Sequence, residues 1–136
     1  MAGESSPYRV FVVDDHPEVR RMLATWISRQ SNLTACGEAE SVTEALRRIP
    51  EAKPDLVLVD ISLKQQNGLK LVKRLAKEQP ALHVIVLSGQ QKAVFVQEAL
   101  RLGARGYVTK GDVNTLHDAI QAVLNGGVYV SDGNGR

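Results

Sequence analysis

The sequence has one cysteine in 136 residues, Cys36, which excludes a disulfide scaffold and any cysteine-based zinc or iron–sulfur site. Its three histidines, His16, His83 and His117, lie far apart without ligand spacing, so a histidine-built metal centre is not expected either. No apolar run approaches the roughly 18 residues that a membrane helix needs. The N-terminus also lacks the apolar core of a secretory signal. Charge of either sign is scarce in net terms: seventeen basic against fifteen acidic side chains leave +2, too little for an electrostatic argument for nucleic acid. These absences leave a single-domain chain expected in the cytoplasm, without membrane association, whose function must come from a site. What is present suffices for a core. The chain is 43% hydrophobic, and at this length about two-thirds of the unfolded surface can be buried without covalent staples.

Met1 to Pro7 is small and polar and reads as a disordered arm. Tyr8 to Val13 is dense in β-branched and aromatic residues and ends in Asp14-Asp15, the mark of a buried strand. Pro17 suits a first helical turn, and Val19, Met22, Leu23, Trp26 and Ile27 continue a helical stripe. Leu33 to Gly37 is a second strand. Ser41 to Glu44 has capping-box form and opens a helix carrying Ala45, Leu46 and Ile49, closed by Pro50. Leu56 to Val59 is continuously apolar and ends at Asp60, as expected of a central strand covered on both faces. Gly68 starts a helix with Leu71, Val72 and Leu75 inward and Lys70, Lys73, Arg74 and Lys77 outward. Val84 to Leu87 is a fourth strand, ending in Ser88-Gly89. Val94 to Leu102 is helical, with Gly103 at a left-handed C-terminal position. Tyr107 to Thr109 is a fifth strand leading to Lys110. Val113 to Leu124 is the last helix, and residues 128–136 read as the start of a linker.

Strand and helix alternate five times. This predicts an α/β fold over residues 8–127, a doubly wound parallel sheet of five strands sandwiched by five helices; in the flavodoxin-like order 2-1-3-4-5, taken as the expected fold type, strands 1 and 3 are neighbours. Ligands in such sheets bind beyond the carboxyl ends of the strands, where strand order reverses. Asp14, Asp15, Asp60, Ser88 and Lys110 all fall at strand ends. Three carboxylates in one crevice repel unless a cation compensates. Hard oxygen donors select Mg²⁺, with its retained waters open to a phosphate oxygen. Lys110 and Ser88 can serve further phosphate oxygens, and Asp60 can form an acyl phosphate.

At Asp14-Asp15, Asp60, Ser88, Tyr107 and Lys110 the chain resembles the receiver domain of two-component response regulators. Asp14-Asp15-His16 and the run from Gly103 to Lys110 look most like the NarL/FixJ (LuxR-type) subfamily. The resemblance implies a phosphorylation-activated switch rather than a turnover enzyme. Asp60 would accept a phosphoryl group from a sensor histidine kinase. Asp14 or Asp15, Asp60 and the backbone carbonyl of Ser62 would hold Mg²⁺, with Asp15 favoured as the direct ligand and Mn²⁺ as an alternative metal. Lys110 would bind the phosphoryl group and Ser88 would move toward it, while Tyr107 alternates between outward and inward rotamers. Gly89 would leave room for the phosphate, and Ser62 and Gln90 would tune its lifetime. The readout would be the surface of helix 4, strand 5 and helix 5, or of helices 1 and 5. It would act through homodimerisation or through a C-terminal helix-turn-helix domain outside this chain, by which alone DNA would be bound. The chain departs from the family pattern at Lys64 and Gly111, where prolines are common.

Competing readings are a stand-alone protein-binding receiver, a small phosphatase with Asp60 as nucleophile, and a flavin or nucleotide module. The phosphatase lacks a second aspartate two residues on, where Ser62 stands, and the nucleotide module lacks a glycine-rich loop after the first strand. Singly, Asp14 and Asp15 also suit helix capping, Tyr107 suits plain packing, and Cys36 suits a small buried site. His16 reads as a partly exposed residue at a helix start, outside the reacting set.

Overall fold

A computed structural model describes residues 6–63, 66–89 and 92–131. The alternation seen in the sequence becomes β1 (Tyr8–Val13), α1 (Pro17–Ser28), β2 (Leu33–Ala39), α2 (Val42–Ala52), β3 (Leu56–Asp60), α3 (Gly68–Glu78), β4 (His83–Ser88), α4 (Ala93–Leu102), β5 (Gly106–Thr109), α5 (Val113–Leu124) and β6 (Tyr129–Val130). All strand pairs are parallel and the order is β2-β1-β3-β4-β5-β6. The expected 2-1-3-4-5 sheet is therefore present, with a short sixth strand added at the β5 edge.

Successive strand residues point to opposite faces, and that period divides the core in two. Val10, Val12, Leu56, Leu58, Ile85, Leu87 and Val108 pack with Leu23 and Ile27 of α1 and with Leu116, Ile120 and Val123 of α5. Phe11, Val13, Val57, Val59, Val84, Val86 and Tyr107 pack instead with α2, α3 and α4. Both faces of β3 are covered, which is why Leu56 to Asp60 reads as an unbroken buried run. No helix among the described residues is long and apolar enough to cross a membrane.

Four local expectations change. Pro50 does not close α2, which runs to Ala52 and ends at Lys53 in the left-handed region (φ 51). Proline lacks only its own donor near the helix end, and the Ile49 carbonyl still accepts from the Lys53 amide at 3.0 Å. β2 continues past Gly37 to Ala39 because a register shift between Val10 and Phe11 passes over Cys36 and restores pairing. Cys36 is consequently half-buried rather than buried. Tyr129–Val130, in the segment read as the beginning of a linker, pairs with Gly106 and Tyr107.

Gly68 sets how closely α3 approaches the end of β3. A Cβ there would lie 2.2 Å from the Asp60 carbonyl oxygen and 3.0 Å from the Ile61 Cα, both backbone atoms that cannot yield. Gly89, by contrast, has open space around its Cβ position. Gly68→Ala is expected to cost about 2 kcal/mol through overpacking, whereas Gly89→Ala should stay within about 0.5 kcal/mol of the parent. Urea unfolding midpoints check both, and equal shifts would refute the close-approach argument.

Candidate functional site

The C-terminal ends of β1, β3 and β5 place their side chains by the same alternation. Asp14, Asp60 and Lys110 each stand two residues beyond a residue of the α1/α5 face, namely Val12, Leu58 and Val108. Lys110 Nζ lies 2.9 Å from Asp60 Oδ2 and 3.0 Å from Asp14 Oδ2. Asp14 and Asp60 are buried, at 0% and 1% exposure. Asp15 is half-buried beside them. The other Asp60 oxygen, Oδ1, accepts the Ser62 amide at 3.0 Å, which turns the chain sharply after β3. Ser62 itself is exposed and bridges to Asn67, whose side chain caps α3 by accepting from the Leu69 amide.

His16, excluded above, belongs to this cluster. Its amide and its Nδ1–H both donate to Asp14 Oδ1, at 2.8 and 2.9 Å, and Nδ1 lies 3.0 Å from Asp15 Oδ1. An acid two residues before a helix N-cap, here Asp14 before His16, is an Asx-turn pattern, and that was the legible signal. Arg20 was also missed. Its guanidinium donates to the Asp14 carbonyl at 2.7 Å and pairs with Glu38 at 2.5 Å, tying the β1–α1 loop to β2.

The electrostatics follow from burial against pairing. Burial is the largest influence on Asp60 and raises its carboxyl above the ordinary value; Lys110 and the Ser62 amide oppose it, and the Asp14 charge adds to it. Burial alone depresses Lys110, but Asp60 and Asp14 together outweigh it, and the ammonium is held above its usual range. The bond to Asp14, then the Asp15 charge, raises His16.

Two buried carboxylate oxygens, Asp14 Oδ2 and Asp15 Oδ1, accept no well-aligned hydrogen bond; their neighbours Lys110 and His16 meet them only as charge contacts. Asp14, Asp15, His16 and Asp60 each offer one ligand atom, all within 4.8 Å of one another. Under-satisfied, hard, anionic donors in one crevice fit a divalent cation.

Ser88 and Tyr107 lie elsewhere. Both are buried and belong by alternation to the opposite face, with Val86 and the α2–α4 core. Their side chains share a hydrogen bond, and burial pushes the Tyr107 phenol up against the opposing effect of that bond. The ring thus occupies an inward position. The Ser88 carbonyl accepts the Lys110 amide at 2.8 Å, so Ser88 is joined to the charged cluster through the backbone. Gly89 is exposed, with free space where a side chain would be. Gln90 and Lys64 lie outside the described residues.

A family model described as the response regulator receiver domain matches residues 10–121. The DNA-binding transcriptional activator DevR/DosR of Mycobacterium tuberculosis is 38% identical over 102 residues, 75% of this chain and 47% of that protein. The response regulator GacA of Pseudomonas viridiflava is 34% identical over 124 residues, 90% of this chain and 58% of that protein. The chain spans about half the length of these curated relatives. Among solved structures, a LuxR-family two-component response regulator from Aurantimonas sp. SI85-9A1 has a TM-score of 0.86 at 33% identity, covering 91% of this chain and 89% of that one. The signal receiver domain of the response regulator NarL from Mycobacterium tuberculosis has a TM-score of 0.82 at 26% identity, covering 90% and 99%.

The raised Asp60 value has a definite sign. Its contribution to stability is complete below the unfolded carboxyl pKa of about 3.9 and is lost as pH rises through the higher folded value. With divalent ions chelated, the stability of Asp60→Asn relative to the parent is expected to grow over that window and then level off; a pH-independent difference in urea titrations would refute it. Lys110→Met leaves two buried carboxylates uncompensated and should cost about 3 kcal/mol at neutral pH.

Proposed function

The chain belongs to the response regulator receiver domain family, on its LuxR/NarL-type branch, and from that premise we propose that Asp60 is the phosphoacceptor of a sensor histidine kinase. The observation that carries this reading is the buried Asp60 carboxylate, held by Lys110 on one oxygen and the Ser62 amide on the other. Anchored at both oxygens, the carboxylate has a fixed orientation toward an incoming phosphorus.

In the proposed transfer, an Asp60 oxygen forms the new P–O bond while the P–N bond to the kinase imidazole breaks, and the electron pair leaves with the ring nitrogen. Asp15, Asp14, Asp60 and the Ser62 carbonyl would hold Mg²⁺, or Mn²⁺ in its place. A bound divalent ion supplies positive charge to the non-bridging oxygens of the phosphoryl group. Lys110 exchanges its carboxylate contact at Asp60 for a phosphoryl oxygen, so its ammonium neutralises charge without crossing the pocket. The acyl phosphate is later lost to water, and the only reactions catalysed are these transfers on the chain itself.

The phosphoryl group adds about −1.5 to −2 charges and three acceptors. Ser88 is drawn toward it and away from Tyr107, which biases a two-state equilibrium of the Tyr107 ring. The surface of α4, β5 and α5, or of α1 and α5, carries that bias outward to a second copy of the chain or to an output domain. The relative DevR/DosR is a DNA-binding transcriptional activator of which the match spans 47%, so the output is proposed to be DNA binding by a further domain.

Incubation with radiolabelled acetyl phosphate and Mg²⁺ is expected to label the parent in a hydroxylamine-sensitive manner, and Asp60→Asn should abolish labelling. Stable label on the Asn variant, or sustained turnover of p-nitrophenyl phosphate by the parent, would overturn the assignment.

A further inference from the structure

The sequence after α5 was expected only to lead away from the domain, yet it is bonded to the strand that carries Lys110. Tyr129 N–H donates to the Arg105 carbonyl and Ser131 N–H to the Tyr107 carbonyl, both at 2.9 Å. The main-chain ladder ends there, and a side chain takes over: Ser131 Oγ accepts the Thr109 amide at 3.0 Å and lies 3.1 Å from Thr109 Oγ1. Ser131 is 6% exposed, a buried hydroxyl in a segment whose neighbours Val128 and Val130 are 56% and 41% exposed.

Thr109 immediately precedes Lys110, whose own amide is bonded to the Ser88 carbonyl on the other side. The last turn of β5 is therefore pinned from both edges, by Ser88 from β4 and by Ser131 from the segment after α5. Beyond it the chain turns at Gly111 (φ 92) to Asp112, which caps α5 through its bonds to Thr115. Pairing extends over only Tyr129 and Val130, so local opening of this short element breaks few main-chain bonds, although Tyr129 packs on the α1/α5 core.

We infer that Ser131 is a positioning residue of the phosphoryl site, acting through Thr109 to hold Lys110, and that docking of residues 129–131 is thereby coupled to occupancy of that site. This rests on the phosphoacceptor reading of Asp60. By linkage, whatever factor the docked segment adds to phosphoryl affinity, phosphoryl occupancy must add to docking. The segment is then a hydrogen-bonded route from the end of β5 to residue 131 that does not pass through α5.

The test uses the 136-residue chain with Mg²⁺ and beryllofluoride as the phosphoryl mimic. Ser131→Ala removes the acceptor for the Thr109 amide and should weaken beryllofluoride binding, read by calorimetry, by about three- to tenfold, the range of one hydrogen bond. Ser131→Thr, which keeps the hydroxyl, should restore it. In the parent, beryllofluoride should slow amide exchange at Tyr129 and Ser131 by a comparable factor, and Asp60→Asn should abolish that slowing. A purely structural serine would lower the melting temperature without moving ligand-dependent exchange. Parent-like affinity in Ser131→Ala, or exchange at 129–131 indifferent to beryllofluoride in the parent, overturns the coupling alone. Failure of the parent to bind beryllofluoride overturns the phosphoacceptor reading and the coupling with it. If Ser131→Ala does not fold, the exchange comparison in the parent decides.

Discussion

Lys110 holds its ammonium 2.9 Å from Asp60 and 3.0 Å from Asp14, two carboxylates with essentially no exposure to water. Burying like charges side by side at the end of a sheet is costly, and one flexible cation offsets only part of that cost. The consequences spread through the site. Asp60 keeps an elevated pKa in spite of its partner. Two carboxylate oxygens are left under-satisfied. The loop after β1 is held by Arg20 and by the His16 turn, so the acids cannot swing out to solvent. A pocket in this condition has a standing demand for positive charge, and that demand makes it responsive to what binds.

The sheet converts this local condition into something the rest of the molecule can sense. Alternation puts the charged groups on the α1/α5 side and the Ser88–Tyr107 pair on the side of α2, α3 and α4. β5 belongs to both compartments. In four consecutive residues it carries Tyr107 into one core, Val108 into the other, Thr109 to the Ser131 hydroxyl and, just past its end, Lys110 to the carboxylates. A shift at Lys110 cannot be absorbed at one residue, because packed cores and paired strands move between discrete arrangements rather than deforming smoothly.

Much of this was legible beforehand, for identifiable reasons. Continuous apolar runs at Val10 to Val13 and Leu56 to Val59 announce parallel strands covered on both sides, and the acids that end them are too costly there to be incidental. The helices declare themselves through their stripes and caps, Ser41 and Asn67 among them. Less was readable where a residue acts against its local tendency. Pro50 reads as a stop but lies two residues before the end of α2, and His16, partly exposed at the helix start as expected, is in addition held by two acids. β6 is two residues long, below the length at which period-two alternation carries any signal.

The sequence by itself determined where the strands and helices fall and which residues could carry charge at the strand ends, because hydrophobic period and strand-end position are one-dimensional properties. Only the folded chain decided which atoms meet. Whether Lys110 reaches one carboxylate or two, whether Tyr107 turns toward Ser88, and whether Ser131 closes on Thr109 depend on distances between segments far apart in the chain. Those distances are set by how closely backbones pack, as where α3 meets the Asp60 carbonyl at Gly68, and packing is a property of volumes in three dimensions that no reading along the chain contains.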